Sequence, residues 1–261
     1  MAALSAGAAE PLRPVTSTWT HEAGGSRIAD TYLTPLKYSG WHLGLGFERG
    51  QAMRFRPQSW VNSLRFGFEF DRAKNPSGNS VMYSAGISAG WSMLHTRKLP
   101  YGVGIAFGGA ADADLGALLL ARNSNNPAQA RASVTLSPQV SGYWRKGIWG
   151  VGARLKLPVL GMFFSPDYGE LYYEISLGNH KDLIHFAWPG SYRRFCGEAF
   201  VDIRPGATAL RIGYRADLLS FKANGLTGRM LTNSVVIGVS CDFLSVDPRK
   251  QYDAEIITAN Y

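Results

Sequence analysis

Along most of the chain, apolar and polar residues change places at every second position. Between residues 41 and 47, Trp41, Leu43, Leu45 and Phe47 alternate with His42, Gly44 and Gly46, and Glu48 follows. A period of two predicts a strand with one apolar face, because successive side chains leave opposite sides of the backbone. Glycine weakens a strand, so two of them on one face need a reason. Residues 60–71 repeat the theme, with Leu64, Phe66, Phe68 and Phe70 against Arg65, Gly67, Glu69 and Asp71. So do residues 80–95, where Tyr83, Ala85, Ile87, Ala89, Trp91 and Met93 oppose serines and glycines.

The pattern predicts about twelve strands of roughly ten residues each, the spacing expected of an outer-membrane barrel. The remaining ones fall at residues 12–22, 38–50, 99–107, 130–145, 149–157, 195–203, 210–217 and 234–243. Two shorter segments, "ELYYEISLG" and "KDLIHFAW", are read as the eighth and ninth. Connections after even strands are compact ("TRKLP", "RKG", "RPGA"). Those after odd strands are longer ("AGGSRIADTYLTPL", "FKANGLTG"), matching short periplasmic turns and long extracellular loops. The longest, residues 108–130, places Asp112 and Asp114 in a surface loop; it lacks the further ligands of an EF-hand.

Composition supports a chain whose outer surface is not mainly watery. Charged residues make up 18%, below the roughly 25% of soluble domains, with 30 glycines and 12% aromatics. No stretch approaches the roughly 18–20 apolar residues of a membrane-spanning helix. A closed β-barrel is the other structure that crosses lipid with every backbone group satisfied. A soluble sandwich or lipocalin-like barrel also alternates. It is disfavoured because the apolar faces carry few charges and the opposite faces mix Gly and Ser with Arg, Glu and Asp, poor material for a dry core.

The net charge of +8 is carried by Lys and Arg scattered in ones and twos, not in the cluster that nucleic-acid binding requires. Anionic lipids and lipopolysaccharide fit it, alongside another envelope protein as partner. Cys196 and Cys241 fall on opposite faces, which argues against a disulfide, and neither has metal-ligand company. Residues 1–11 read as a leader or signal-peptide remnant, 12–245 as the barrel and 246–261 as a periplasmic tail. Trp41, Trp60, Trp91, Trp144, Trp149, Trp188 and Tyr38 are expected in interfacial aromatic girdles.

If the apolar faces meet lipid, the polar faces line the interior. The expected lumen residues are His42, Glu48, Arg65, Glu69, Asp71, Arg154, Lys156, Glu174, Glu198, Asp202, Arg211, Arg215 and Asp217. Charges in such a setting persist when paired, as a network that packs the lumen, or as a wall that selects solutes. No nucleophile, base and orienting group come together, so no catalytic residue, cofactor or metal is expected. His180 reads as a turn residue, and His185 as inward-facing with no serine motif nearby.

The N-terminal run "DTYLTPL" (residues 30–36), with Tyr38, Gly40, Glu48 and Arg49, resembles the start of an uncharacterised family of Bacteroidota outer-membrane proteins carrying a domain of unknown function. The resemblance implies an outer-membrane barrel and no established activity. The expectation is therefore an all-β protein: one antiparallel transmembrane barrel in a Gram-negative outer membrane. It would act without catalysis, as a narrow, porin-like channel or a structural component of an envelope assembly. The rivals are a lipid-modifying hydrolase of the outer membrane and a soluble β-barrel binder.

Overall fold

The alternating segments become strands that are longer than expected. The computed structural model describes residues 10–178, 182–244, 246 and 252–259. Its strands are β1 (Glu10–Leu12), β2 (Val15–Asp30), β3 (Thr34–Ala52), β4 (Trp60–Lys74), β5 (Val81–Lys98), β6 (Val103–Leu119) and β7 (Ala128–Lys146). They continue with β8 (Trp149–Lys156), β9 (Leu160–Phe164), β10 (Ile184–Ala187), β11 (Tyr192–Ile203), β12 (Thr208–Ala223), β13 (Leu226–Phe243) and β14 (Tyr252–Ile256). One short helix, α1 (Tyr172–Ser176), precedes β10.

Ten strands close a barrel in the order β2-β3-β4-β5-β6-β7-β8-β11-β12-β13, and β13 pairs back onto β2. All of these pairings are antiparallel. Closure leaves no sheet edge around the wall, which is what crossing lipid demands. The expected count of twelve is therefore corrected to ten. The excess came from the two short segments. "ELYYEIS" alternates too briefly to distinguish strand from helix and folds as α1. "KDLIHFAW" supplies only β10, which pairs with β9 beside the wall. Strand β9 continues the line of β8 along β7, after a break at Pro158, which has no N–H to give the ladder.

The outer face is apolar. Leu45, Phe66, Ile87, Val134, Ile212 and Ile237 project outward, and Ile87 is 57% exposed. Trp41, Trp91, Trp144, Trp149 and Trp188 are also exposed on this side. Tyr38 is a correction: it points inward, is buried, and donates its hydroxyl to Ser80 Oγ at 3.1 Å. At the end carrying the β2–β3 and β12–β13 turns, Ile28, Tyr32, Leu33, Tyr38, Met82, Leu118, Leu226 and Met230 form the main buried apolar cluster, inside the barrel.

Connections at that end are shorter than expected, because the strands absorb the length. Strand β3 has 19 residues, against the roughly 9–11 needed to cross a bilayer. The connections there are residues 31–33, 75–80, 120–127 and 224–225, and the longest of that end separates Phe164 from Ile184. Residues 108–119 belong to β6, not to a loop. From Gly109 to Ala113 the outward positions (Gly109, Ala111, Ala113) are too small to register as an apolar face, and the large ones, Leu115 and Leu119, come only later. At the opposite end, β1 pairs in parallel with β14, so the expected boundary at residue 12 falls inside β1. Ile257 N donates to Leu12 O at 2.8 Å, and Gln58 Nε2 to Glu255 Oε1 at 3.2 Å. Residues 1–9, read as a leader, lie outside the described residues, as does His180.

Candidate functional site

The lumen is built from the inward positions of the ten wall strands. Twelve of the expected residues project there: His42, Glu48, Arg65, Glu69, Asp71, Arg154, Lys156, Glu198, Asp202, Arg211, Arg215 and Asp217. Glu174 does not. It lies exposed on α1, where its carboxylate accepts from Leu171 N at 3.3 Å.

Glu48 is the centre of the network. Arg154 Nη1 donates to Glu48 Oε2 at 3.0 Å, and Arg65 Nε lies 3.9 Å from the other carboxylate oxygen. Strands β3 and β8 are five positions apart in a ring of ten, so the Glu48–Arg154 pair runs across the full diameter. Further pairs form chords. Lys156 Nζ donates to Asp112 Oδ1 at 2.6 Å, and Arg194 bridges Asp114 at 2.9 Å and Asp217 at 2.8 Å. Arg131 Nη2 lies 3.5 Å from Glu69. Arg215 joins Glu22 to Glu198, and Arg211 holds Asp202 at 2.8 Å while stacking 3.7 Å over the Phe200 ring. Buried charge is tolerated on these terms alone, with each ion paired.

Several members escape sequence reasoning. Asp112 and Asp114 sit in the stretch read as a loop. Glu22 and Arg131 sit in the terminal positions of the expected strands 12–22 and 130–145, and Arg194 just before 195–203, where alternation is weakest. The partner of His42 is visible only once the register is known: His42 faces Asp71 across β3 and β4, with Nδ1 2.9 Å from Oδ1, both buried. His185 Nε2 lies 3.0 Å from Ser165 O, and its ring meets Phe163. Cys196 faces the lumen among Lys156, Asp217 and Arg215, whereas Cys241 lies on the outer face; both are free.

Three small cavities follow one another along the axis, of about 80, 130 and 70 Å³. Glu69, Asp114, Arg194 and Asp217 stand between the first two, and Glu48 between the second and third. They have room for waters but fall short of the roughly 300 Å³ of a small-molecule pocket. Ala259, from the segment after β14, lines the third together with Gly50, Val61 and Phe200.

Above the apolar belt, Asp30 accepts Tyr32 N at 3.0 Å and Leu33 N at 3.4 Å. Burial pushes its carboxyl up to about 6, against the lowering effect of those two bonds and of Arg131. Burial, with the nearby charges of Glu170 and Asp30, likewise pushes the Tyr32 phenol up to about 12. The Tyr32 hydroxyl donates to Glu170 O at 3.0 Å, tying the excursion after β9 to the β2–β3 turn.

With a ten-stranded, ion-filled barrel established, the sequence match becomes informative. Residues 2–250 match the family described as Protein of unknown function (DUF3316). The chain belongs to that family. No curated protein matches this DUF3316 chain in sequence. Among solved structures it is similar to the outer membrane protease OmpT from Escherichia coli, with 6% identity, 88% of this chain and 96% of that chain covered, and a TM-score of 0.52. It also aligns with the β domain of the Bordetella autotransporter BrkA (12% identity, 88% and 100% covered, TM-score 0.40). Neisserial surface protein A aligns at 12% identity, with 87% and 97% covered and a TM-score of 0.34. At such identity the likeness to OmpT is one of fold: the DUF3316 chain has an outer-membrane β-barrel fold.

Proposed function

We propose that this protein resides in the outer membrane of a Gram-negative bacterium and acts without catalysis, as a structural component of an envelope assembly whose lumen is held shut. The β1–β14 pair and the short turns after β5, β7 and β11 face the periplasm, and the β2–β3 and β12–β13 turns face outward. The observation that carries this reading is the Glu48–Arg154 pair spanning the barrel diameter at 3.0 Å, with the Lys156–Asp112 and Arg194–Asp114 pairs closing the lumen beside it. A solute would have to break largely buried ion pairs to pass, each costing up to about 3–5 kcal/mol when one partner is lost. Outer-membrane lipids, lipopolysaccharide and another envelope protein are the partners this reading implies, with no nucleic acid among them.

Planar-bilayer recording tests it. The wild-type protein should show no steady conductance, and a Glu48→Ala/Arg154→Ala variant should show small, discrete openings. A small steady conductance from the wild type would sink the closed-barrel reading in favour of the narrow channel. The hydrolase reading draws on one observation, the buried His42–Asp71 pair. Hydrolysis of a fluorescent phospholipid that disappears in His42→Ala would establish it.

A further inference from the structure

The lumen contains acids and bases in near balance, so the net charge of +8 belongs to the outer surface and the two ends. Part of it is concentrated on one wall. Register places Arg27 directly beside Ser39, and Ser39 beside Lys74. One row further from the belt, Ala29 is flanked by Lys37 and Arg229. One row nearer the belt, Arg72 lies between Trp41 and Tyr83. Residues directly paired across antiparallel strands project from the same face, so all five cations share the outer face with Trp41.

Four adjacent strands, β13, β2, β3 and β4, thus present five cations over a patch about 15 Å wide at the usual strand spacing of about 4.8 Å. None of the five has a side-chain hydrogen bond or ion pair among the described residues. Directly beneath them the aromatic rings of Trp41, Phe70 and Tyr83 run side by side, with centroids 5.6 and 6.2 Å apart, and mark the upper rim of the apolar belt. Like charges held this close repel, and a wall that keeps them unpaired at a lipid boundary is complementary to fixed anions at headgroup height.

We propose that this wall binds the headgroup phosphates of lipopolysaccharide in the outer leaflet. Five cations exceed what the single phosphodiester of an ordinary phospholipid neutralises and fit a headgroup bearing more than one phosphate. Arg72 and Lys74, nearest the rings, take the phosphate closest to the acyl chains, while the outer belt below (Leu43, Phe68) packs those chains. The inference rests on the membrane orientation proposed above.

The test is lipid titration of the detergent-solubilised full chain, read by native mass spectrometry, with bisphosphorylated lipid A, monophosphorylated lipid A, phosphatidylglycerol and inorganic phosphate as probes. Lys37→Gln/Arg72→Gln should bind bisphosphorylated lipid A at least tenfold more weakly than wild type. Arg193→Gln/Lys222→Gln, with the same charge loss on the β11–β12 wall, should bind as wild type. Equal losses in the two variants, no loss in the first, or phosphatidylglycerol or inorganic phosphate matching lipid A would overturn the proposal. A measurement on the unmodified protein guards against misfolding of the variants: lipid A should protect Lys37 and Lys74 from acylation while Lys222 stays reactive, and equal reactivity of all three counts against the site. A chain that stays monodisperse without detergent would instead defeat the membrane reading itself, an outcome separate from loss of lipid selectivity.

Discussion

At the scale of single residues, the glycines on the inward face of β3 act as clearance. A Cβ on Gly44 would meet the Glu22 side chain at 3.2 Å and His42 Nε2 at 3.4 Å. Gly44→Leu should push the Glu22 carboxylate off Arg215 and destabilise the barrel by about 2–4 kcal/mol, the combined scale of overpacking and a disturbed buried pair; the midpoint of urea unfolding in micelles would measure it. Asp30 gives a pH prediction. Its folded carboxyl titrates near 6 against 3.8 for the free group. The fold therefore favours the protonated acid, and stability is lost as pH rises from about 4 through 6. Asp30→Asn keeps an oxygen to accept from Tyr32 and Leu33, and removes the charge. It should raise the melting temperature at pH 8, by an equivalent of about 1–3 kcal/mol, and leave it unchanged at pH 4. Residue-level reading from sequence succeeded where a large outward neighbour fixed the face, as Phe66 and Phe68 do for Arg65, Gly67 and Glu69. It failed at Asp112, whose outward neighbours Ala111 and Ala113 are small, and at Asp114, which has a large outward neighbour, Leu115, on one side only. It also failed at Tyr38, a large residue that faces inward beyond the belt.

At the scale of elements, strand type was legible and strand length was not. Alternation marks the portion of a strand that carries the apolar belt; beyond the belt both faces meet polar surroundings or buried turns, and the signal fades. The β12–β13 hairpin shows the gap. Its "FKANGLTG" reads as a long connection, yet Asn224 and Gly225 alone make the turn, with φ of 48° and 75°. Two left-handed residues match the twist of the flanking strands, the geometry that favours Asn-Gly. Gly225→Val should cost about 1–3 kcal/mol through backbone strain, seen as faster hydrogen exchange at the tips of β12 and β13 with the belt unaffected. The helix α1 was not legible either, because five residues of alternation carry no length information.

At the scale of the whole molecule, the belt and the lumen are two solvents separated by one layer of backbone. Leu45→Arg places a charge in mid-belt and should cost about 2–4 kcal/mol, lowering the yield of folded protein recovered in bilayers; Ser17→Arg, beyond the belt on the same face, should be tolerated. The class of architecture was legible because this division is written at every second position. The closure at ten strands was not, since it depends on which segments reach the ring.

The diametric pairing also constrains the order in which the protein can be built. Arg154 is synthesised 106 residues after Glu48, and Arg215 follows Glu22 by 193. A barrel threaded into lipid one hairpin at a time would carry these acids across the bilayer without partners, each at a cost of several kcal/mol. Assembly is therefore favoured only after β12 and β13 are available, with the sheet curling shut as its ions meet and β13 zipping onto β2 as the final event. The lumen's ion-pair network thus doubles as a completeness test on the chain: a truncated product lacking β11 to β13 would leave Glu22 and Glu48 without their cross-barrel partners Arg215 and, once the sheet fails to close, Arg154.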